Sequence, residues 1–255
     1  MKSTPARPPA NRHDDAYVQD LFDRMGKTYG LMNAVTSFGF SVLWRAQCVA
    51  NAGVGPNERV CDLMAGTGEC WTHALRRGAS VVSVDFSPVM CDLELKRAAE
   101  CDLPVEVRCE NALQTSLPDS SFDCVVAGFG LKTLSAGAVA EFAREVRRLL
   151  KPGGRFSLIE ISTADDWWLG PIYRWYLRSV IPRIGRLCLA DIECYRMLGV
   201  YTEDFGSCER FLPVFAQAGL EVTVVSHFFG CASSLVGRRP EKAANCSESG
   251  RGNQP

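Results

Sequence analysis

The sequence predicts an α/β protein: a doubly wound, mostly parallel seven-stranded sheet with helices on both faces. Three observations carry that expectation. From about residue 59 short apolar runs alternate with segments of helical period, a Gly-rich turn follows the first run, and the chain closes on two apolar runs with no helix between them.

Taken in order, ERVCDLM (58–64) reads as a short buried strand, and AGTGE (65–69) then leads into a helical stretch, CWTHALRRG (70–78). SVVSVDF (80–86) is a second strand. Ser87 as N-cap with Pro88 in the first turn opens the next helix. PVEVRCEN (104–111) alternates as a third strand and SFDCVVAGF (121–129) is a fourth. In AVAEFAREVRRLLKPGG (138–154) the apolar Phe142, Val146, Leu149 and Leu150 share one helix face, with Lys151-Pro152-Gly153-Gly154 as its stop. RFSLIEIS (155–162) is the fifth strand, and LEVTVVSHFF (220–229) with ASSLVGR (232–238) forms a final antiparallel pair. Residues 1–14 and 239–255 are polar, without apolar period, and are expected to be disordered tails around a single domain, 15–238.

Composition narrows the function. With 28 Lys+Arg against 29 Asp+Glu the net charge is −1, which removes the overall electrostatic footprint of a nucleic-acid binder. At 47% hydrophobic and 22% charged the chain has the balance of an ordinary globular protein. No run approaches a membrane-spanning length, and Met1–Asp15 lacks the apolar core of a secretory signal, so a cytoplasmic protein is expected. The twelve cysteines include no C-x-x-C and no zinc-site spacing with His. They are expected to be mostly buried free thiols, among them Cys61, Cys109 and Cys124 in apolar runs, and no metal site is expected.

In an open α/β sheet the ligand lies beyond the carboxyl ends of the strands, where the winding reverses. Here the first strand runs into Asp62-Leu63-Met64-Ala65-Gly66-Thr67-Gly68-Glu69. Gly66 and Gly68 let backbone approach a ligand closely, and Asp85, ending the second strand, is placed to accept hydrogen bonds from both hydroxyls of a ribose. A tight turn with a capping carboxylate and no ligand is the plain alternative. A nicotinamide dinucleotide wants a third glycine where this chain has Trp71. S-adenosyl-L-methionine has a ribose and no pyrophosphate, and needs only the shorter D-x-x-x-G-x-G loop. Trp71 and Asp62 therefore favour the methyl donor.

The flanks sharpen this. VQDLFDRMGKTYGLMNAVTSFGFSVLWR (18–45) precedes the sheet, and VDFSPVM, ENALQTSLPDSSFD, AGFGLK, LLKPGGR and IEIS lie along it. LRSVIPRIGRLCLADIECYRML (177–198) follows, with a Pro-x-x-Gly and an Asp-x-x-x-Tyr-x-x-Leu. From about Tyr17 to Arg238 the chain resembles the ubiquinone/menaquinone biosynthesis C-methyltransferase family, class I enzymes dependent on S-adenosyl-L-methionine. The resemblance implies a Rossmann-like core with a helical amino-terminal lid over residues 15–55. It implies cofactor contacts at Thr67, Asp85, Asn111, Ala112 and Gly128, beside Asp62, Gly66 and Gly68. Where the family often has Ser this chain has Gly128. Asn111 has a local alternative as an Asx-turn residue.

The acceptor side departs from the family. Its Arg-Asn pair after Phe-Gly-Leu is Lys132-Thr133 here, and its Tyr-Asp before Met-Asn is Tyr29-Gly30. Gly199-Val200-Tyr201 stands where the family prefers a Ser. Lys132 and Tyr29 are the expected catalytic residues. Lys132 is a base, a cationic partner for a phenolate or carboxylate, or a solvated loop lysine, and Tyr29 faces the acceptor or simply packs its helix. The cluster Trp167–Tyr176 suits a flat or prenylated ring, a peripheral membrane contact, a packed helix face or a homodimer contact. The resemblance implies C-methylation of a quinol or quinol-like phenolic ring. An O- or N-methyltransferase acting on a small aromatic compound and a non-catalytic subunit of a biosynthetic complex are the alternatives.

Overall fold

The computed structural model describes residues 12–187 and 192–241, without the side chains of 27–29, 31–33, 185–187, 192 and 193. Strands β1 (Arg59–Leu63), β2 (Ser80–Asp85), β3 (Val105–Cys109), β4 (Phe122–Gly128), β5 (Leu150–Ile161), β6 (Glu221–His227) and β7 (Ala232–Arg238) form one sheet. Its order is β3-β2-β1-β4-β5-β7-β6. The first five strands are parallel, and β7 runs antiparallel to both β5 and β6. Winding goes outward from β1 through β2 to β3, returns to β4, and continues the other way. The crevice between β1 and β4 is therefore the switch point.

Both faces are covered, which is why the central strands read as continuous apolar runs. Cys61, Val82 and Val125 belong to the core that also holds Phe142 and Val146 of α5 (Ala136–Leu149) and Phe215 of α9 (Leu212–Gln217). Their strand neighbours Val60, Val81 and Val126 belong to the opposite core, with Trp44 and Cys48 of α2 (Phe40–Asn51) and Trp71 of α3 (Trp71–Leu75). This is the period-two alternation of a strand, with each side chain assigned to one layer. A third cluster joins α1 (Asp15–Thr36), α4 (Pro88–Glu100) and α8 (Ile192–Phe205) through Leu21, Met25, Met90, Tyr195 and Tyr201.

Ser87 caps α4 as its sequence implies, its hydroxyl accepting from the Met90 N–H at 3.1 Å behind Pro88. The segment between α5 and β5 differs from expectation. Lys151–Gly154 is already strand, because the Gly153 N–H donates to the Arg239 carbonyl and the Arg239 N–H donates to the Gly154 carbonyl. The ladder absorbs the extra residues as an irregularity opposite Phe122 and Cys124. Among the cysteines, Cys109 is a correction: it is exposed, because β3 is an edge strand with a wet face, whereas Cys61 and Cys124 are buried. Cys188 and Cys246 lie outside the described residues.

The expected tails fall largely outside the described residues too. Arg12 and His13 do not lie loose: Arg12 pairs with Asp204 at 2.8 Å and His13 Nδ1 meets the Thr133 carbonyl at 2.9 Å. Among the described residues no helix is long and apolar enough to cross a membrane.

Candidate active site

The Gly-rich loop leaves β1 with Met64, Gly66 and Gly68 all at positive φ. At Gly68 the requirement is double. Its φ is 75°, and a Cβ there would lie 1.7 Å from the Trp71 indole nitrogen. Trp71 thus fills the space under the loop, and its ring is clamped. Its Nε1 donates to Glu94 Oε1 at 2.9 Å, and the Arg97 guanidinium lies 4.8 Å above it while donating to the Thr67 and Gly68 carbonyls. Burial raises the Glu94 carboxyl to about 7, although the Ser83 hydroxyl and Trp71 donate to it.

Asp85 faces this loop across the crevice. Gly66 N–H donates to its Oδ2 at 2.8 Å and Ser87 N–H to its Oδ1 at 2.9 Å. Each oxygen keeps a lone pair. Burial, reinforced by Asp23, raises its pKa to about 6 against those donors. Asp62 is fully buried behind the loop, and neither of its oxygens has a hydrogen-bond partner among the described residues. Burial and nearby Glu94 push it well above the usual carboxylate range.

Gly66, Asp85 and Gly128 line one small cavity of about 40 Å³ with Phe22, Glu69 and Phe86. Phe22 of α1 (Asp15–Thr36) is part of its wall, so α1 borders the space beside Asp85. Polar contacts tie α1 to the neighbouring strand ends beside its core packing: Asp23 accepts from the Ser87 hydroxyl at 2.5 Å, and Asp15 from the Asn111 amide at 3.4 Å. Asn111 and Ala112 do not line the cavity. Asn111 Oδ1 accepts from the Leu113 N–H at 2.9 Å in an Asx turn, and Ala112 is buried in the α5 core. Thr67 offers its carbonyl to Arg97.

A second cavity of about 360 Å³ opens on the other side of Phe129, which lines both. Its walls include Phe40, Trp44, Trp167, Tyr173, Tyr195 and Phe228, and Lys132 is the one charged residue among those lining it. Phe129 is held at φ 68° just beyond β4, with the Arg45 guanidinium 4.6 Å above its ring and paired to Glu69 at 3.0 Å. No side chain fits at Gly128 without displacing Cys70, whose Sγ would be 2.9 Å from a Cβ.

Lys132 is not a solvated loop lysine. It lies in a 3-10 turn, Leu131–Thr133, with its side chain 4% exposed. Its Nζ donates to Glu160 Oε1 and to the Phe129 carbonyl, both at 2.8 Å. Tyr29 lies in α1, but its side chain is outside the described residues. Of this cluster, Trp167, Ile172, Tyr173 and Tyr176 line the cavity, Ile172 being also largely exposed, whereas Trp168 and Trp175 are exposed and absent from its lining. Glu160, Arg45, Glu69 and Phe129 were not singled out from sequence. A lone acid in the apolar run RFSLIEIS was the one available sign for Glu160.

The model of the ubiE/COQ5 methyltransferase family matches residues 10–239. The chain belongs to that family. A demethylmenaquinone methyltransferase of Lactiplantibacillus plantarum is 34% identical over 232 residues, 88% of this chain and 97% of that protein. One from Thermus thermophilus is 32% identical over 86% of this chain and all of its own length. Among solved structures, a SAM-dependent methyltransferase from Aquifex aeolicus aligns with TM-score 0.54 at 18% identity, covering 76% of this chain and 89% of its own. Geranyl diphosphate C-methyltransferase from Streptomyces coelicolor aligns with TM-score 0.55 at 18% identity, covering 77% and 75%. These two likenesses concern the fold alone. As a ubiE/COQ5 methyltransferase the protein is an enzyme that uses S-adenosyl-L-methionine. The residues present suit that molecule: a loop cleared of side chains at Gly68, a buried carboxyl at Asp62 with no partner, and a ribose-competent carboxylate at Asp85.

Proposed function

We propose that the enzyme methylates a ring carbon of a quinol carrying an apolar tail, working in the cytoplasm at a membrane surface. The observation that carries this reading is the aromatic cavity of about 360 Å³, which has a single charged lining residue and shares Phe129 with the cavity beside Asp85. The names of the curated relatives, demethylmenaquinone methyltransferases, support it.

When bound, S-adenosyl-L-methionine supplies an electrophilic methyl group on sulfur. In this reading Asp85 accepts from the ribose hydroxyls, and the Gly66-Thr67-Gly68 backbone lies along the methionine arm with Asp62 behind it. Asn111 and Ala112 border the adenine, and Gly128 keeps the route to the acceptor open. Lys132 would donate from Nζ to the acceptor's phenolic oxygen and stabilise the phenolate left when the hydroxyl proton passes to water; the ring carbon would then take the methyl from sulfur and lose its own proton to water. Phe129 and Trp44 orient the ring, and closure of α1, which carries Tyr29, excludes water.

The cavity mouth suits a lipid bilayer. Phe38 is 78% exposed there, Phe228 and Phe229 are half to two-thirds exposed against Trp167, and Trp168, next in sequence, is 82% exposed. Phe38, Phe228 and Phe229 all hold positive φ, a costly backbone state for a bulky residue, and remain partly exposed while packing on Tyr176, Phe40 and Trp167. This rim is continuous with the cavity through Phe38, Phe228 and Ile172, so a tail emerging from the site passes directly into it. Flotation with liposomes and light scattering separate the occupants. Liposome binding by a monomer supports the bilayer, whereas a dimer that ignores liposomes assigns the rim to a second copy of the chain.

The reaction is tested by incubating enzyme and S-adenosyl-L-methionine with demethylquinols, small phenols and amines. Ring methylation of a demethylquinol supports the proposal. Methyl transfer to oxygen or nitrogen alone overturns it.

A further inference from the structure

Glu160 has no role in the reading given so far. It closes β5 with no exposure at all, in an apolar neighbourhood that includes Leu158 and Ile159. A carboxylate in such a place is costly unless its oxygens are bonded. Three donors satisfy it: Lys132 Nζ at 2.8 Å and the Ile161 N–H at 2.7 Å on Oε1, and the Lys132 backbone N–H at 3.1 Å on Oε2. Two of the three come from opposite ends of the same residue. One carboxylate therefore fixes both the 3-10 turn at Leu131–Thr133 and the ammonium above it.

An ammonium has three N–H donors. Glu160 takes one and the Phe129 carbonyl takes another, and Nζ makes no third hydrogen bond among the described residues. Lys132 lines the apolar cavity and also borders a second one with Arg12, His13, Asp204 and Arg210, and its side chain is almost wholly shielded from solvent. Two bonds of fixed direction leave a tetrahedral nitrogen little freedom for the third. A buried ion pair is also a poor device for stability alone, since an apolar pair of similar volume serves as well or better.

We propose that Glu160 is a positioning residue for methyl transfer: it aims the remaining N–H of Lys132 into the acceptor cavity and balances its charge there. This rests on the acceptor reading under Proposed function. It also narrows the acceptor class. A wall with a donor but no net charge suits a neutral hydroxyl that becomes charged only once its proton has left to water, ahead of methyl transfer. It does not suit a ring bearing a carboxylate.

The test is a double-mutant cycle on the full chain with Glu160→Gln, Lys132→Met and the pair together, measuring kcat, acceptor KM and cofactor Kd. Glu160→Gln lowers kcat at least about ten-fold while both binding constants move less than about three-fold, because the loss falls on the transition state. In the Lys132→Met background the same change lowers kcat less than about two-fold, since Glu160 acts through Lys132. Glu160→Asp, which keeps the charge and loses reach, recovers part of kcat and guards against a folding failure of the glutamine variant. A hydroxybenzoate inhibits Glu160→Gln more tightly than wild type, because the ammonium is then unbalanced. Equal kcat losses from Glu160→Gln in both backgrounds, or parallel losses in kcat and cofactor affinity, mark a purely structural residue and overturn the proposal. Wild-type enzyme that methylates no demethylquinol overturns the acceptor reading and this proposal with it. Wild-type enzyme that does so, beside additive losses in the cycle, overturns this proposal alone.

Discussion

The Gly66 amide donates to Asp85 Oδ2 at 2.8 Å, joining the Gly-rich loop to the second strand across the crevice. The strand therefore pins the loop, and in the proposed reading the carboxylate doing so is itself the ribose acceptor. Burial raises Asp85 to about 6, so its charge changes within an accessible pH range.

Cofactor affinity is expected to rise as pH increases through about 6, because only the ionised Asp85 accepts from both ribose hydroxyls without giving one oxygen to a proton. Asp85→Asn weakens binding by about ten-fold or more and flattens this dependence. Titration calorimetry at pH 5.0–8.0 checks both, and a wild-type affinity that is flat with pH contradicts the assignment.

Glu94 supplies a stability prediction. Its pKa is raised by burial to about 7, above the unfolded value, so folding favours its protonated form. That contribution is full at low pH and is lost as pH rises from about 4.5 through the folded value. Glu94→Gln keeps an oxygen for the Trp71 and Ser83 donors and cannot ionise. Its Tm relative to wild type is therefore expected to climb between pH 5 and 8, and a constant difference contradicts the argument. Comparing variant with wild type cancels the opposing titration of His73 and His227, whose pKa values burial lowers.

Gly68→Ala places a Cβ inside the Trp71 indole at a backbone angle that L-residues avoid. The expected cost is about 2–4 kcal/mol of stability with loss of cofactor binding. Chemical denaturation and calorimetry measure the two. An alanine variant with wild-type stability shows that Trp71 is not fixed under the loop.

Trp168 and Phe229 are exposed at the mouth and absent from the cavity wall. Replacing both with Ser is expected to weaken liposome binding by about ten-fold or more, at about 1.5–3 kcal/mol per buried aromatic. Turnover of a short-tailed, water-soluble quinol changes less than about two-fold. Undiminished liposome binding removes the rim from the membrane contact.

Much of the fold was legible because a parallel sheet covered on both faces turns its strands into short apolar runs, as VVSVD and CVVAG do. The turn at Gly66 and Gly68 was legible for a local reason: positive φ at both, and at Gly68 the closeness of Trp71, demand glycine. Cys109 was misread because nothing local distinguishes an edge strand from a central one. The partnership of Lys132 with Glu160 was hidden. The residues are 28 apart, and their meeting depends on the register that sets Gly128 beside Ile159 across β4 and β5. The strand beginning at Leu150 escaped notice because Lys-Pro-Gly-Gly is a helix stop by composition, while its ladder bonds come from distant Arg239.

The most direct test of the central claim is to locate the transferred methyl. Enzyme is incubated with S-adenosyl-L-methionine carrying a ¹³C-methyl group and a demethylquinol in liposomes, and the product is read by long-range carbon–proton NMR. The account predicts a methyl bonded to a ring carbon, with loss of the proton that the same carbon carried. A methyl on the phenolic oxygen, or cofactor binding with no transfer to any quinol, contradicts it.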